Sequence, residues 1–212
     1  METPPKSPAE IRNAAFALAA ERGWARLTLA DIAFTAGISL AELQNAFPSK
    51  AAILEGFGRD MDQALLALTA KDPVTGTPHD RLFDVILRRL EIMQPYKKAL
   101  SRILENPGLS PSEAARACMR AQETLGWMLA AADLDEPGLD GLVNRQGLGL
   151  VYARILHVWV KDEDAGLTRT MAALDRSLRD AALWRGRIQT PLALAKGFAA
   201  LGANFFKARR AS

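Results

Sequence analysis

Apolar residues return at helical spacing along most of this chain, and turn formers break the pattern at intervals. Ser7-Pro8-Ala9-Glu10 is a capping box with proline at the first helical position, followed by an apolar stripe of Ile11, Ala15, Leu18 and Ala19. Gly23 ends that helix. Thr28 with Asp31 starts a second, to Ala36, and Gly37 ends it. Ser39 with Glu42 starts a short third, to Phe47, and Pro48-Ser49 opens a fourth over about residues 50–70. The turn-rich segment 71–78 (KDPVTGTP) reads as a linker. Longer helices follow over about residues 79–94, 95–105, 110–132, 139–161, 165–185 and 190–209. The breaks between residues 106–108, 136–138 and 161–164 separate some of them. There is no strand-like alternation and no repeat. The expected fold class is all-α.

Composition agrees with a chain that folds around its own core: 212 residues, 49% apolar and 24% charged. No unbroken apolar run reaches the ~18 residues a membrane span needs. Residues 1–6 lack the apolar core of an export signal. Cys118 is the single cysteine, so no internal disulfide can form. A cytoplasmic location is therefore the default expectation. The net charge of +3 is unevenly spread. Residues 1–60 hold six Lys/Arg against seven Asp/Glu, whereas residues 185–212 hold six Lys/Arg and no acid.

Two short helices meeting at Gly37 behind a longer first helix form a helix-turn-helix, the arrangement that sets a third helix into a DNA major groove. The plainer reading is a three-helix bundle with a tight turn. The whole string says more. Residues 11–57 resemble the TetR family closely, through Ile11, Ala14, Ala15, Leu18, Gly23, Leu27, Thr28, Asp31, Ile32, Ala33, Ala36, Gly37, Ile38, Ser39, Leu43, Phe47, Ser49, Lys50, Ile53, Leu54 and Phe57. The resemblance implies a TetR-like fold, with a three-helix head over residues 1–50 and a helical-bundle body for ligand binding and dimerisation over residues 51–185. It also implies that Thr28, Ser39 and Lys50 meet phosphates, with Leu40, Gln44 and Asn45 on the recognition helix facing duplex DNA. The departures are that Gln44 stands where an aromatic is usual, Ala46 where a ring residue is usual, and Glu42 adds a carboxylate. Gln44 and Asn45 can read adenine edges; otherwise they are solvated helix residues. A net charge of −1 over residues 1–60 is a poor electrostatic footprint for phosphates.

In the body, Phe83, Ile86, Met93, Tyr96, Met119, Trp127 and Met128 are candidates for an adaptable apolar pocket, with plain core packing as the alternative. The expected ligand is a hydrophobic small molecule or lipid. Val151, Ile155, Val158 and Trp159 form one stripe, and Leu167, Met171, Leu174 and Leu178 another. Two such stripes from each subunit would build a four-helix homodimer interface.

Residues 186–212 read as an extra basic amphipathic helix. Leu194, Phe198, Leu201 and Phe205 recur at helical spacing, Phe206 adjoins them, and Lys207, Arg209 and Arg210 crowd the end. Such a helix can lie on an anionic membrane surface, or dock on its own body. A second, shorter resemblance bears on this. Residues 150–178, through Val151-Tyr152, Trp159, Asp162, Asp164, Thr170, Leu174-Asp175 and Arg176, look like part of a lipid-binding accessory protein of ubiquinone biosynthesis. That family has a TetR-like fold, dimerises without acting as a repressor, and reaches membranes through a C-terminal amphipathic helix. A lipid-binding protein peripheral to the inner membrane face is the rival to a repressor.

No catalytic constellation is legible. His79 and His157 are far apart, no Cys/His set has metal-ligand spacing, and Gly147-Leu148-Gly149 lacks a third glycine and a preceding strand. Asp162-Glu163-Asp164 reads as a polar loop feeding the next helix N-terminus. Neither cofactor nor metal nor enzymatic activity is expected.

Overall fold

The structure, a computed structural model, describes residues 6–185. In chain order its elements are α1 (Pro8–Arg22), a 3-10 turn (Trp24–Arg26), α2 (Leu29–Ala36), α3 (Leu40–Ala46), α4 (Lys50–Lys71), α5 (Pro78–Met93), a second 3-10 turn (Gln94–Tyr96), α6 (Lys97–Glu105), α7 (Pro111–Ala131), α8 (Gly138–Trp159) and α9 (Thr168–Arg185). No strand occurs among the described residues. No helix among them is long and apolar enough to cross a membrane. The expected helix over residues 190–209, with Leu194, Phe198, Leu201, Phe205, Phe206 and Lys207, lies outside the described residues.

Helix starts sit where the sequence signposts them because the same device recurs. Ser7 with Glu10, Thr28 with Asp31, Ser39 with Glu42, Thr77 with Asp80 and Ser110 with Glu113 all close as full capping boxes. Each satisfies two otherwise orphaned backbone N–H groups, and a cap of this kind contributes about 1 kcal/mol.

One apolar core runs from head to body. Ile11, Phe16, Trp24, Ile32, Leu43, Phe47 and Ile53 fill the head, and Leu65, Ile86, Leu90, Met128, Ile155, Trp159 and Leu174 fill the body. Helix α4 packs on α7, α8 on α9, and α1 on both α2 and α6.

This packing absorbs the two stripes expected to face a second subunit. Val151, Ile155, Trp159, Leu167, Leu174 and Leu178 are buried within the protomer, while Val158 and Met171 are half-buried. The α8–α9 hairpin closes on most of them, leaving Val158 and Met171 partly open to solvent. The outward face of α9 is polar, with Arg169, Arg176, Arg179 and Asp180 exposed. Large exposed apolar side chains stand elsewhere, on α7 (Met119, Trp127) and α8 (Leu139, Leu142, Leu150). A Gln146–Gln122 hydrogen bond of 3.2 Å joins these two helices.

The α8–α9 connection is held by polar contacts in the segment that carried the second resemblance. The carboxylate of Asp162, a residue 1% exposed, accepts from the Thr170 amide at 2.9 Å and hydroxyl at 2.7 Å. Lys97 donates to the Asp162 carbonyl, and the Trp159 indole donates to Gln94 at 3.1 Å. Asp164 accepts from the Gly166 and Thr168 amides, starting α9. Burial pushes the Asp162 carboxyl up, but the Thr170 hydroxyl and amide outweigh it and hold the group below its ordinary value of 3.8. A depressed carboxylate stabilises the fold above its unfolded pKa, and that contribution is lost as pH falls through the folded one. Asp162→Ala should therefore lower the unfolding free energy by about 2 kcal/mol at neutral pH. In urea titrations, the gap from wild type should narrow as pH falls below 3.8.

Candidate nucleic-acid interface and body centre

Gly37 makes the turn between α2 and α3. It sits at φ 69°, ψ 37°, the left-handed region that a side chain disfavours. Its amide donates to Phe34 O and the Ile38 amide to Ala33 O, which closes α2 and aims α3 outward. Leu43 anchors α3 in the core at 1% exposure. Leu40, Ala41, Glu42, Gln44 and Asn45 face solvent together. Leu40 also borders a shallow cleft of about 230 Å³ with Leu29, Leu43, Gln44, Phe47 and Pro48. Phe34, 88% exposed, is a large apolar residue on the same two-helix unit.

The residues expected to meet phosphates have other work in the protein alone. The Thr28 hydroxyl donates to Asp31 at 2.6 Å, and the Ser39 hydroxyl to Glu42 at 2.7 Å. Those hydroxyl bonds, with the backbone bonds beside them, hold both carboxyls below their ordinary values. The α2 and α3 N-termini thus each carry a carboxylate that a phosphate would have to pass. The Lys50 ammonium donates to Trp24 O and Leu27 O, both at 2.8 Å, and lies 5.4 Å from the Trp24 ring centre. It staples the turn between α1 and α2, leaving one of its three donors uncommitted. Burial lowers its pKa from the ordinary lysine value. Three other head cations are paired, Arg12 with Asp60, Arg22 with Asp31 and Lys6 with Glu10, while Arg26 is exposed.

Head and body meet through three rings. Phe16 of α1 stacks on Phe57 of α4 at 4.3 Å, and Tyr96 sets its edge on both, at 5.5 and 5.0 Å. The Tyr96 hydroxyl donates to Asn13 of α1 at 2.9 Å. Tyr96, expected in a ligand pocket, lies at the contact between the α5–α6 turn and the head. Gly108 reinforces the joint: a Cβ there would stand 2.9 Å from Ala25 Cβ.

The remaining pocket candidates divide. Ile86, Met93 and Met128 are buried, and Phe83 is half-buried beside His79. Met119 and Trp127, 61% and 49% exposed, stand on the outer face of α7 and enclose nothing. A cleft of about 440 Å³ lies at the α7–α8 connection, along Asp135 to Gly138, Gly141, Leu142 and Arg145. It shares no residue with the predicted pocket.

Sequence reasoning missed the polar group in the body centre. Asp62 of α4, 3% exposed, faces Arg89 of α5 at 2.8 Å and also pairs with Arg120 of α7. Thr124 of α7 donates to the same carboxylate at 3.1 Å, and Arg89 Nε donates to Tyr152 of α8 at 2.9 Å. Burial is the main force raising the Tyr152 phenol pKa. The signal was present in the sequence: Asp62 interrupts the apolar stripe Phe57, Met61, Leu65, and Arg89 stands between Ile86, Leu90 and Met93.

Residues 11–56 match the model of the bacterial regulatory proteins, tetR family. The head is similar to that family. Solved structures extend the likeness beyond this TetR head as a likeness of fold. A TetR transcriptional regulator from Nitrosomonas europaea aligns with TM-score 0.69 at 22% identity, covering 83% of this chain and 98% of that one. One from Rhodococcus sp. RHA1 gives TM-score 0.62 at 18% identity, covering 82% and 93%. The FadR repressor of Thermus thermophilus, solved with lauroyl-CoA, gives 0.55 at 19%, covering 83% and 93%. No curated protein sequence gives a significant match.

If Lys50 is a staple of the TetR head as well as a phosphate donor, Lys50→Met should destabilise the free protein. Two buried carbonyls lose a charged donor, which costs about 1–3 kcal/mol. Thermal unfolding without DNA checks this. An unchanged melting temperature would leave Lys50 to DNA alone.

Proposed function

We propose that this protein is a DNA-binding transcriptional regulator of the TetR type, acting as a homodimer whose body responds to a small ligand. The observation that carries the reading is the outward presentation of α3: one buried anchor, Leu43, with Leu40, Gln44 and Asn45 exposed beside a left-handed glycine turn. That is the geometry with which a helix enters a major groove. Gln44 and Asn45 supply amides matched to adenine N6 and N7, and Leu40 an apolar contact for a thymine methyl. Thr28, Ser39 and the third donor of Lys50 take phosphates when the carboxylates of Asp31 and Glu42 rotate away.

Two heads are needed for a specific site, and the face that suits pairing is the exposed apolar one of α7 and α8: Met119, Trp127, Leu142 and Leu150. Ligand in the body changes the seating of α4 and α6. Tyr96 and Phe57 pass that change to α1, which alters the spacing of the two recognition helices.

Nothing in the comparisons supports the rival reading of a membrane-docking lipid carrier. Trp159, Asp162, Asp164 and Thr170 of its described segment serve the α8–α9 joint.

The test is selection of sites from a random duplex library by the purified protein. Inverted repeats with half-sites about one helical turn apart, or a multiple of it, are expected. Gln44→Ala with Asn45→Ala should lose the enrichment, and Trp127→Glu with Leu142→Glu should reduce inverted repeats to single half-sites. No enriched sequence from wild type would overturn the regulator reading.

A further inference from the structure

We infer that the ligand of the body carries an anionic group, which lodges against Arg89 and Arg120. The inference rests on the reading that the body binds a ligand, and adds the chemistry of that ligand. Four helices converge on one point: α4 brings Asp62, α5 Arg89, α7 Arg120 and Thr124, and α8 Tyr152. Two guanidinium groups share the single buried carboxylate. Glu123, which also pairs with Arg120, is 61% exposed on its side chain and solvent-screened. Inside the centre, two guanidinium groups face one buried carboxylate, with Glu123 as a second acid at the rim.

The donors there are incompletely used. Arg89 Nη1 and Arg120 Nε are buried and make no hydrogen bond, and neither does the Asp62 oxygen facing Arg89. At 2.8 Å, Arg89 Nη1 and the facing Asp62 oxygen form a close buried ion pair. Buried arginine donors left in this state are satisfied by a planar or tetrahedral oxyanion, which a guanidinium fork grips in two places.

The surroundings select the rest of the molecule. Tyr152 stands 4.0 Å from the Met93 sulfur, and Ile86, Leu90, Leu125 and Met128 close the apolar side of the same helices. Methionine side chains re-pack readily around an alkyl chain. Arg120 is the more accessible of the two: its side chain is 18% exposed, against 4% for Arg89. The ligand that fits is an amphiphile with one anionic end and an alkyl body, its anion displacing Asp62 from one arginine.

The probes are dodecanoate, dodecyl phosphate and dodecanol, titrated calorimetrically into the full-length protein below their critical micelle concentrations. Dodecanoate or dodecyl phosphate should bind at least tenfold more tightly than dodecanol; which of the two wins identifies a carboxylate or a phosphate end. Arg120→Gln should weaken the anion at least tenfold and leave dodecanol unchanged. Because a single change at Arg89 strands Asp62, the second variant is Arg89→Gln with Asp62→Asn, which keeps the centre balanced and should likewise abolish the preference for the anion. Equal binding of anion and alcohol, no binding of either, or an unaffected Arg120→Gln protein would overturn the inference. DNA binding by the same preparations, measured without amphiphile, separates that failure from failure of the regulator reading.

Discussion

The stack of Phe16 on Phe57, closed at its edge by Tyr96, is the contact on which the protein's organisation turns. It joins three elements: α1 of the head, α4 and the turn between α5 and α6. Aromatic pairs of this geometry add roughly 0.5–1.5 kcal/mol each beyond the area they bury. Helix α4 makes the joint rigid. It starts under the head at Ser49, is buried there through Ile53 and Phe57, and continues as the wall of the body through Met61, Asp62 and Leu65. A helix cannot bend at each residue as a loop can, so a shift at Asp62 is carried up α4 toward the head. Arg12 with Asp60 holds the same joint on its polar side.

Charge sets the limits on what the head does. Most of its cations hold the head together rather than project from it, and its two groove-side helices begin with carboxylates. Phosphate neutralisation supplies most non-specific affinity in DNA-binding proteins. Under the proposed function, such a head would rely more on base and apolar contacts from α3, and on pairing, than on a broad basic surface. That is consistent with the exposed Leu40, Gln44 and Phe34.

Helix boundaries were legible because their causes are local. A capping box involves residues three apart and a glycine turn one residue, and both can be read without knowing the fold. The head was legible for the same reason. Side-chain destinations were not, because periodicity says which face of a helix is apolar and not what covers it. In the stripe from Val151 to Trp159, Val151, Ile155 and Trp159 are buried within the protomer. Tyr96 had a pocket residue's composition and a joint residue's position. Lys50 had the right charge for phosphate, but the two carbonyls it meets come from residues more than twenty positions earlier. The Asp62 centre is built from pairs up to 63 residues apart, so only the oddity of charges inside apolar stripes hinted at it.

The central claim, that this TetR-type head grips DNA, is tested most directly by wild-type binding to random-sequence duplex across a salt series, with no ligand present. The account predicts weak binding whose logarithm falls linearly with the logarithm of salt, with a slope steeper than about −2, as several counterions are released by a pair of heads. No binding at the lowest salt, or binding indifferent to salt, would contradict it.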